Sequence, residues 1–327
     1  MRILYVGGTG EISFACVEES VRAGHQVTAF NRGKTADAER LGVEQVIGDF
    51  ADDQAYAALA ARDFDVVCQF LVYTPEQVER DIAAFAGHCG QYVFISSASA
   101  YQKPVPVARI TEDTPLDNPF WAYSRGKAAC EARLMQAHRS GQLPVTIVRP
   151  SHTYRQRFPS PVIHCDHLVW RLLRGKPVIV HGEGESVWTA THADDFARAF
   201  VRLCGNSDAL GEAVHITDSM GHTWNRIIRT VGKTIGAAAD IRPVLSKILV
   251  RHEPSWEGPL LGDKSNTLIF DTRKVERLAG GWRCEISLEQ GLKRVWPTVK
   301  ARLDSGYQPD PALDALIDRI VEEQGVH

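Results

Sequence analysis

Tyr123 and Lys127 stand four residues apart in WAYSRGKAACE (121–131), which reads as the start of a helix, so both side chains project from one face. That spacing suits proton transfer. A phenol with a pKa of about 10 is a poor acid or base at neutral pH, and a neighbouring ammonium favours its phenolate form. Upstream, ISSASAY (95–101) sets three serines and a second tyrosine directly behind an apolar run. A half-buried tyrosine beside a surface lysine would give the same four-residue spacing, so the weight of the pair lies in its company.

That company begins at the N-terminus. The run RILYVG leads into GGTGEIS, in which Gly7, Gly10 and Ser13 hold the spacing G-x-x-G-x-x-small, with Thr9, Glu11 and Ile12 between them. A side-chain-free turn from a strand into a helix lets backbone N–H groups and the helix dipole approach a pyrophosphate. Ser13 replaces the usual third glycine or alanine and is small enough to be tolerated. The second strand ends in AFNRGK. A free ribose 2′-hydroxyl calls for an acid here, whereas a 2′-phosphate calls for positive charge. Asn31, Arg32 and Lys34 therefore predict NADP rather than NAD, with Arg32 on the phosphate. Asp49, in IGDF, is expected near the adenine, and Phe50, Phe70 and Pro150 are expected as further cofactor contacts.

These residues need a frame that brings strand ends together. Apolar runs at 2–7, 26–30, 44–48, 65–70, 91–96 and 145–150 alternate with helical segments near 11–24, 52–62, 75–89 and 122–140, the pattern of an α/β parallel sheet covered by helices. Gly24 suits the stop of the first helix and Pro75 the first turn of another. After Pro150 the alternation breaks down, which predicts a dinucleotide-binding domain over 1–150 and a mostly substrate-binding lobe over 151–327, some of whose segments return to the sheet. Helices are expected there near 162–175, 192–204, 222–236 and 312–324. With 44% hydrophobic residues the chain can bury a sizeable core, and 37 Lys+Arg against 40 Asp+Glu leaves no basic stripe for nucleic acid. Seven widely spaced cysteines, the early glycines and the lack of a long apolar run lead us to expect a cytoplasmic protein with no membrane segment.

On GGTGEIS, FISSASAY, YSRGK, VRPSHTY and HADDFA, the chain resembles the extended short-chain dehydrogenase/reductase family, from Met1 to about residue 295. The resemblance implies a Rossmann-type doubly wound sheet with a smaller C-terminal substrate lobe, and a Ser-Tyr-Lys triad of Ser97, Tyr123 and Lys127. In the chemistry it implies, hydride passes between the nicotinamide and a carbonyl or carbinol carbon, Tyr123 moves the proton, and Ser97 holds the oxygen. Lys127 would supply the field and bond the nicotinamide ribose. Either a ketoreductase or a 4-epimerase-like enzyme fits. The alternative is a non-catalytic nucleotide- or RNA-binding relative of the same fold. A homodimer through the helices near 75–89 and 122–140 is also implied.

Departures from the family pattern narrow this. Dehydratases and decarboxylases of the family carry acids just after the catalytic hydroxyl, where this chain has Ala98 and Ser99, so elimination is not expected. Ser96 is assigned to packing. Ser99 reads as a turn hydroxyl and stands, with Tyr101, His152, Tyr154 and Trp188, among the expected substrate contacts. His152 replaces a usual asparagine, and Trp188 replaces an arginine that grips a nucleotide diphosphate. An indole carries no charge, so an aromatic or uncharged polar substrate is expected. Arg155 and Arg157 could restore an anion site. In HCDH, His164 and His167 share a helix face without a third ligand, so no metal is expected. His192 is expected to anchor a chain turn, with Asp194 and Asp195 capping the helix that follows.

Overall fold

The computed structural model describes residues 1–33 and 42–324. Its first half runs β1 (Arg2–Val6), α1 (Ser13–Arg22), β2 (Gln26–Asn31), β3 (Glu44–Ile47), α2 (Asp53–Ala60), β4 (Phe64–Gln69), α3 (Pro75–Phe85), β5 (Cys89–Ile95), α4 (Ala122–Arg139) and β6 (Val145–Pro150). The second half runs β7 (His152–Tyr154), α5 (Cys165–Leu173), β8 (Val178–His181), β9 (Val187–His192), α6 (Ala193–Leu203), β10 (Ala213–Ile216), β11 (Gly221–Thr223), α7 (Trp224–Ile235) and β12 (Ile241–Val244). It closes with α8 (Ser246–His252), α9 (Glu257–Pro259), a π-helical turn at Leu260–Lys264, α10 (Arg273–Leu278), α11 (Leu288–Asp304) and α12 (Pro311–Gln324).

Seven strands form one sheet in the order β10-β6-β5-β4-β1-β2-β3, and every pair is parallel. The chain winds outward in both directions from β1 and β4. Ligands of such sheets bind at the carboxyl ends of the strands beside that switch point, where crossovers diverge and leave a crevice. Parallel strands are covered on both faces, which is why β1 is buried from Ile3 to Val6 and β6 along its whole length. Helices α1 and α6 pack on one face through Ala15, Cys16, Phe196 and Phe200, and α2, α3 and α4 on the other through Tyr56, Val78, Phe85 and Leu134.

The remaining segments build a second core around Leu168 in α5, Ile179 in β8, Trp224 in α7 and Leu292 in α11, with small sheets β11-β9-β7 and β12-β8. The expected sheet strands all form, within two residues at each end. Pro75 sits in the first turn of α3, where Thr74 and Gln77 make a capping box, and Gly24 follows α1 at φ 79°. Helix α11 was not among the expected elements; its capping box, Ser287 with Gln290, offered a signal that interior Pro297 counteracts. Among the described residues, no helix is long and apolar enough to cross a membrane.

Candidate active site

The turn after β1 needs its glycines for two different reasons. Gly7 has φ 90°, and a Cβ there would lie 2.8 Å from Leu71; Gly8 would meet Ala29 at 3.2 Å, so it permits close helix-strand packing. Ser13 does more than tolerate its position: its hydroxyl donates to Gly7 O at 2.6 Å and accepts the Gly10 N–H at 2.9 Å, tying the turn together. Ile12 joins the core beneath. Among the described residues, the N–H groups of Thr9, Glu11 and Ile12 meet no protein acceptor, so the turn fits a dinucleotide pyrophosphate. The Glu11 side chain is not free for a cofactor. Its Oε1 accepts the backbone N–H groups of Arg155, Gln156 and Arg157, and Arg157 pairs with Oε2 at 3.5 Å. What Glu11 offers a nucleotide is therefore its backbone.

At the end of β2, Asn31 is buried and its Oδ1 accepts the Gly33 N–H, shaping the turn that leaves Arg32 exposed. Lys34 lies outside the described residues. Asp49 is exposed and accepts the Ala51 N–H, while the cap of α2 is Asp52. Phe50 lies under the Arg80 guanidinium, 4.1 Å from ring centroid to Cζ. Phe70 stacks on Tyr5, and Pro150 ends β6 at the same edge.

Tyr123, Lys127 and Ser97 meet where β4, β5 and α4 converge. Lys127 is 2% exposed, and its ammonium donates to Val72 O and Ile95 O, both at 2.7 Å, just beyond or at the ends of β4 and β5. Gly126 makes this approach possible, since a Cβ there would sit 2.7 Å from Tyr73 O. The ammonium faces the rings of Tyr73 at 4.5 Å and Tyr123 at 5.9 Å. Burial pulls the Lys127 pKa down to about 8 against the nearby Cys130 and Glu131. Burial pushes the Tyr123 phenol up to about 12; the nearby Ser97 hydroxyl works the other way, and Tyr73 and Asp263 add to the rise. Ser97 belongs to a hydroxyl relay in which Ser124 donates to Ser99 at 2.8 Å and Ser99 lies 2.9 Å from Ser97. Asn118 holds the Ser99 carbonyl at 2.7 Å and Gly262 O at 2.6 Å, joining this loop to the π-helical turn.

The substrate side departs from several expectations. Tyr101 is fully buried, with its hydroxyl 3.0 Å from both His215 Nδ1 and Arg149 Nη1, so it belongs to the polar core around the Arg149–Glu131 ion pair and not to a ligand surface. Ser99 is likewise buried and spends its hydroxyl on Ser97 and Ser124. Trp188 is buried as well; its indole donates to Asn266 O at 3.0 Å and packs on Trp224. The arginine it replaces thus has a core residue in its place. Arg155 pairs with Glu18 and Asp194, and Arg157 with Glu11, so neither guanidinium is left unpaired for an anion.

His152 and Tyr154 do line a cavity of about 390 Å³, together with Phe158, Ile163, Trp256 and Lys264. Burial, then Lys264, lowers the His152 pKa to about 3 and keeps the imidazole neutral. In HCDH, His164 caps α5 and His167 is buried beside Trp170. The cap of α6 is His192 itself, which accepts the Asp194 N–H; Asp195 instead receives the N–H groups of Glu285 and Ile286. The sequence reading missed Ser124, Asn118, Trp121, Asp263 and Lys264. Ser124 lies inside YSRGK, and its place beside the tyrosine was the available signal; GDK (262–264) carries none.

Residues 3–217 match the NAD dependent epimerase/dehydratase family. Among curated relatives, a protein named chloroplast stem-loop binding protein of 41 kDa b, from Arabidopsis thaliana, is 29% identical over 72% of this chain and 63% of its own length; the chain thus spans less than two thirds of that relative. A 2′-dehydrokanamycin reductase from Streptomyces kanamyceticus is 25% identical over 86% of this chain and 80% of its own. A 2-alkyl-3-oxoalkanoate reductase from Stenotrophomonas maltophilia is 26% identical over 90% and 98%. The glycine turn, Ser97, Tyr123 and Lys127 all fall inside the matched segment, and the chain belongs to the NAD dependent epimerase/dehydratase family.

Proposed function

We propose that the protein is an NADP(H)-dependent ketone/alcohol oxidoreductase in which Tyr123 moves the proton, Ser97 holds the substrate oxygen and Lys127 supplies positive charge. The observation that carries this is the buried Lys127 ammonium, fixed on the carbonyls of Val72 and Ile95 and facing the Tyr123 ring, while the Ser97 hydroxyl stands near enough to the same phenol to favour its ionised form. A bound nicotinamide would supply or accept the hydride. Gly7, Thr9, Gly10 and the N-terminus of α1 would hold the pyrophosphate, and Arg32 the 2′-phosphate. Near pH 7 Lys127 is protonated and Tyr123 carries its proton, which is the form required to protonate an oxygen gaining charge.

Reduction is favoured over epimerisation of a nucleotide sugar because the three positions that the sequence marks for a diphosphate are taken: Trp188 lies in the core, and Arg155 and Arg157 are bound to carboxylates. The family name covers dehydratases too. The reading without elimination rests on Ala98 and on Ser99, whose hydroxyl is enclosed by serines. One relative is named for stem-loop binding, but a net charge of −3 gives a polyanion little to bind. The homodimer expected through α3 and α4 belongs to this same reading.

The test is NADPH oxidation followed at the nicotinamide absorbance with a panel of ketones, alongside the cofactor content of the purified protein. Turnover by protein that exchanges its cofactor supports a reductase. Tightly retained cofactor with no net NADPH consumption would point to epimerisation.

A further inference from the structure

The short segment from Trp256 to Lys264 does two things at once. One side packs on Trp121: a Cβ on Gly258 would meet its indole at 2.3 Å and one on Gly262 its Cβ at 3.0 Å, and Trp121 in turn lies 4.9 Å from the Tyr123 ring. The other side sends Trp256, Pro259 and Lys264 into the cavity that His152 also lines. The segment thus touches on one side the tryptophan that packs on Tyr123 and on the other the cavity.

Lys264 is held there by its backbone. Its carbonyl accepts from Ser186 at 2.8 Å and lies 2.9 Å from His181 Nε2, which fixes the end of the π-helical turn. Its ammonium makes no hydrogen bond or ion pair among the described residues; the adjacent Asp263 favours its charge only through space. The other charged lining residues are spoken for, since Glu11 holds three backbone N–H groups and Arg157. His152 contributes no charge. The remaining wall is largely apolar, with Phe158, Val162, Ile163 and Trp256. A part-exposed ammonium on a largely apolar wall, with no protein partner among the described residues, is placed to pair a bound anion.

We propose that Lys264 anchors a carboxylate on the substrate, so that this cavity takes the acid end of an otherwise apolar oxo or hydroxy acid. The proposal rests on the oxidoreductase reading for the words oxo and hydroxy, and on Lys264 alone for the acid. It replaces the uncharged substrate expected from His152, Tyr154 and Trp188, because Trp188 faces the core and Lys264 brings a charge that those three residues did not reveal.

The test uses octanoate and its neutral counterpart octanamide, titrated calorimetrically into NADP-saturated protein. Octanoate is expected to bind at least ten-fold more tightly than octanamide. Lys264→Gln should remove that preference while Lys264→Arg keeps most of it, with NADP binding by each variant reporting that it has folded. Equal affinity for the two probes in the unmodified protein, no octanoate binding, or a preference that survives Lys264→Gln overturns the proposal. Ketone turnover is scored separately: octanoate held by Lys264 in a protein that reduces no ketone would sink the catalytic reading and leave the anion site standing.

Discussion

Glu11 Oε1 lies 2.7 Å from the backbone nitrogen of Arg155, so a carboxylate on the nucleotide turn holds a loop of the second half of the chain. The same oxygen also accepts from Gln156 and Arg157. Hydrogen bonds to a charged group contribute roughly 1.5–3 kcal/mol each. Glu11→Ala should therefore loosen 155–157 locally, with amide hydrogen exchange at these residues at least ten-fold faster and KM raised more than kcat is lowered. Unchanged exchange would show that the loop is held by Arg155 and its partners Glu18 and Asp194 instead.

The hydroxyl relay gives a graded expectation. Tyr123→Phe removes the proton donor and should lower kcat by about 10²-fold or more, in the range of general acid-base catalysis, while NADPH still binds. Ser124→Ala touches the reaction only through Ser99 and Ser97 and should cost less, on the order of a few-fold in kcat with KM little changed. Steady-state kinetics on one ketone checks both. If Ser124→Ala were as damaging as Tyr123→Phe, the relay would be part of the proton path and not its support.

The sheet and its covering helices were legible because the central strands are buried on both faces and several crossover helices have a plain start or stop, such as Thr74-Pro75 or Gly24. The reacting groups were legible because their spacing is local: Tyr123 and Lys127 share one helix face. What could not be read was which polar residues from distant segments share an environment. Tyr101 and Trp188 look like ligand contacts in sequence, yet partners 48 to 114 residues away draw them inward. Asp263 and Lys264 gave no local pattern at all, since their importance comes from the packing of Gly258 and Gly262 on Trp121.

Arg32 sits exposed where β2 ends, beside the buried Asn31 that shapes its turn. If it meets a 2′-phosphate, Arg32→Ala should raise KM for NADPH by roughly ten- to a hundred-fold, the equivalent of one charge-assisted bond, and leave KM for NADH nearly unchanged. The ratio of kcat/KM for the two cofactors reads this directly. Equal losses with both would assign Arg32 to the turn and not to the phosphate.

Asp263 provides a test in which the sign with pH is fixed. Burial raises its pKa from 3.8 to about 6, with Lys264 and Lys103 opposing. The fold therefore favours the neutral acid, and this contribution is fully present below pH 3.8 and lost as pH rises through 6. A shift of about two units corresponds to roughly 3 kcal/mol at most. Asp263→Asn is neutral throughout and should exceed the unmodified protein in stability by about 1–3 kcal/mol at pH 7, with the gap closing near pH 4. Asp81, also raised to about 6 by burial, is present in both proteins and cancels in the difference. Denaturant midpoints across that range check the expectation. Because the Asp263 charge also helps push the Tyr123 phenol up, the same variant should move the alkaline limb of alcohol oxidation to lower pH. A stability gap that stayed constant with pH would mean that Asp263 is paired in the fold and does not titrate there.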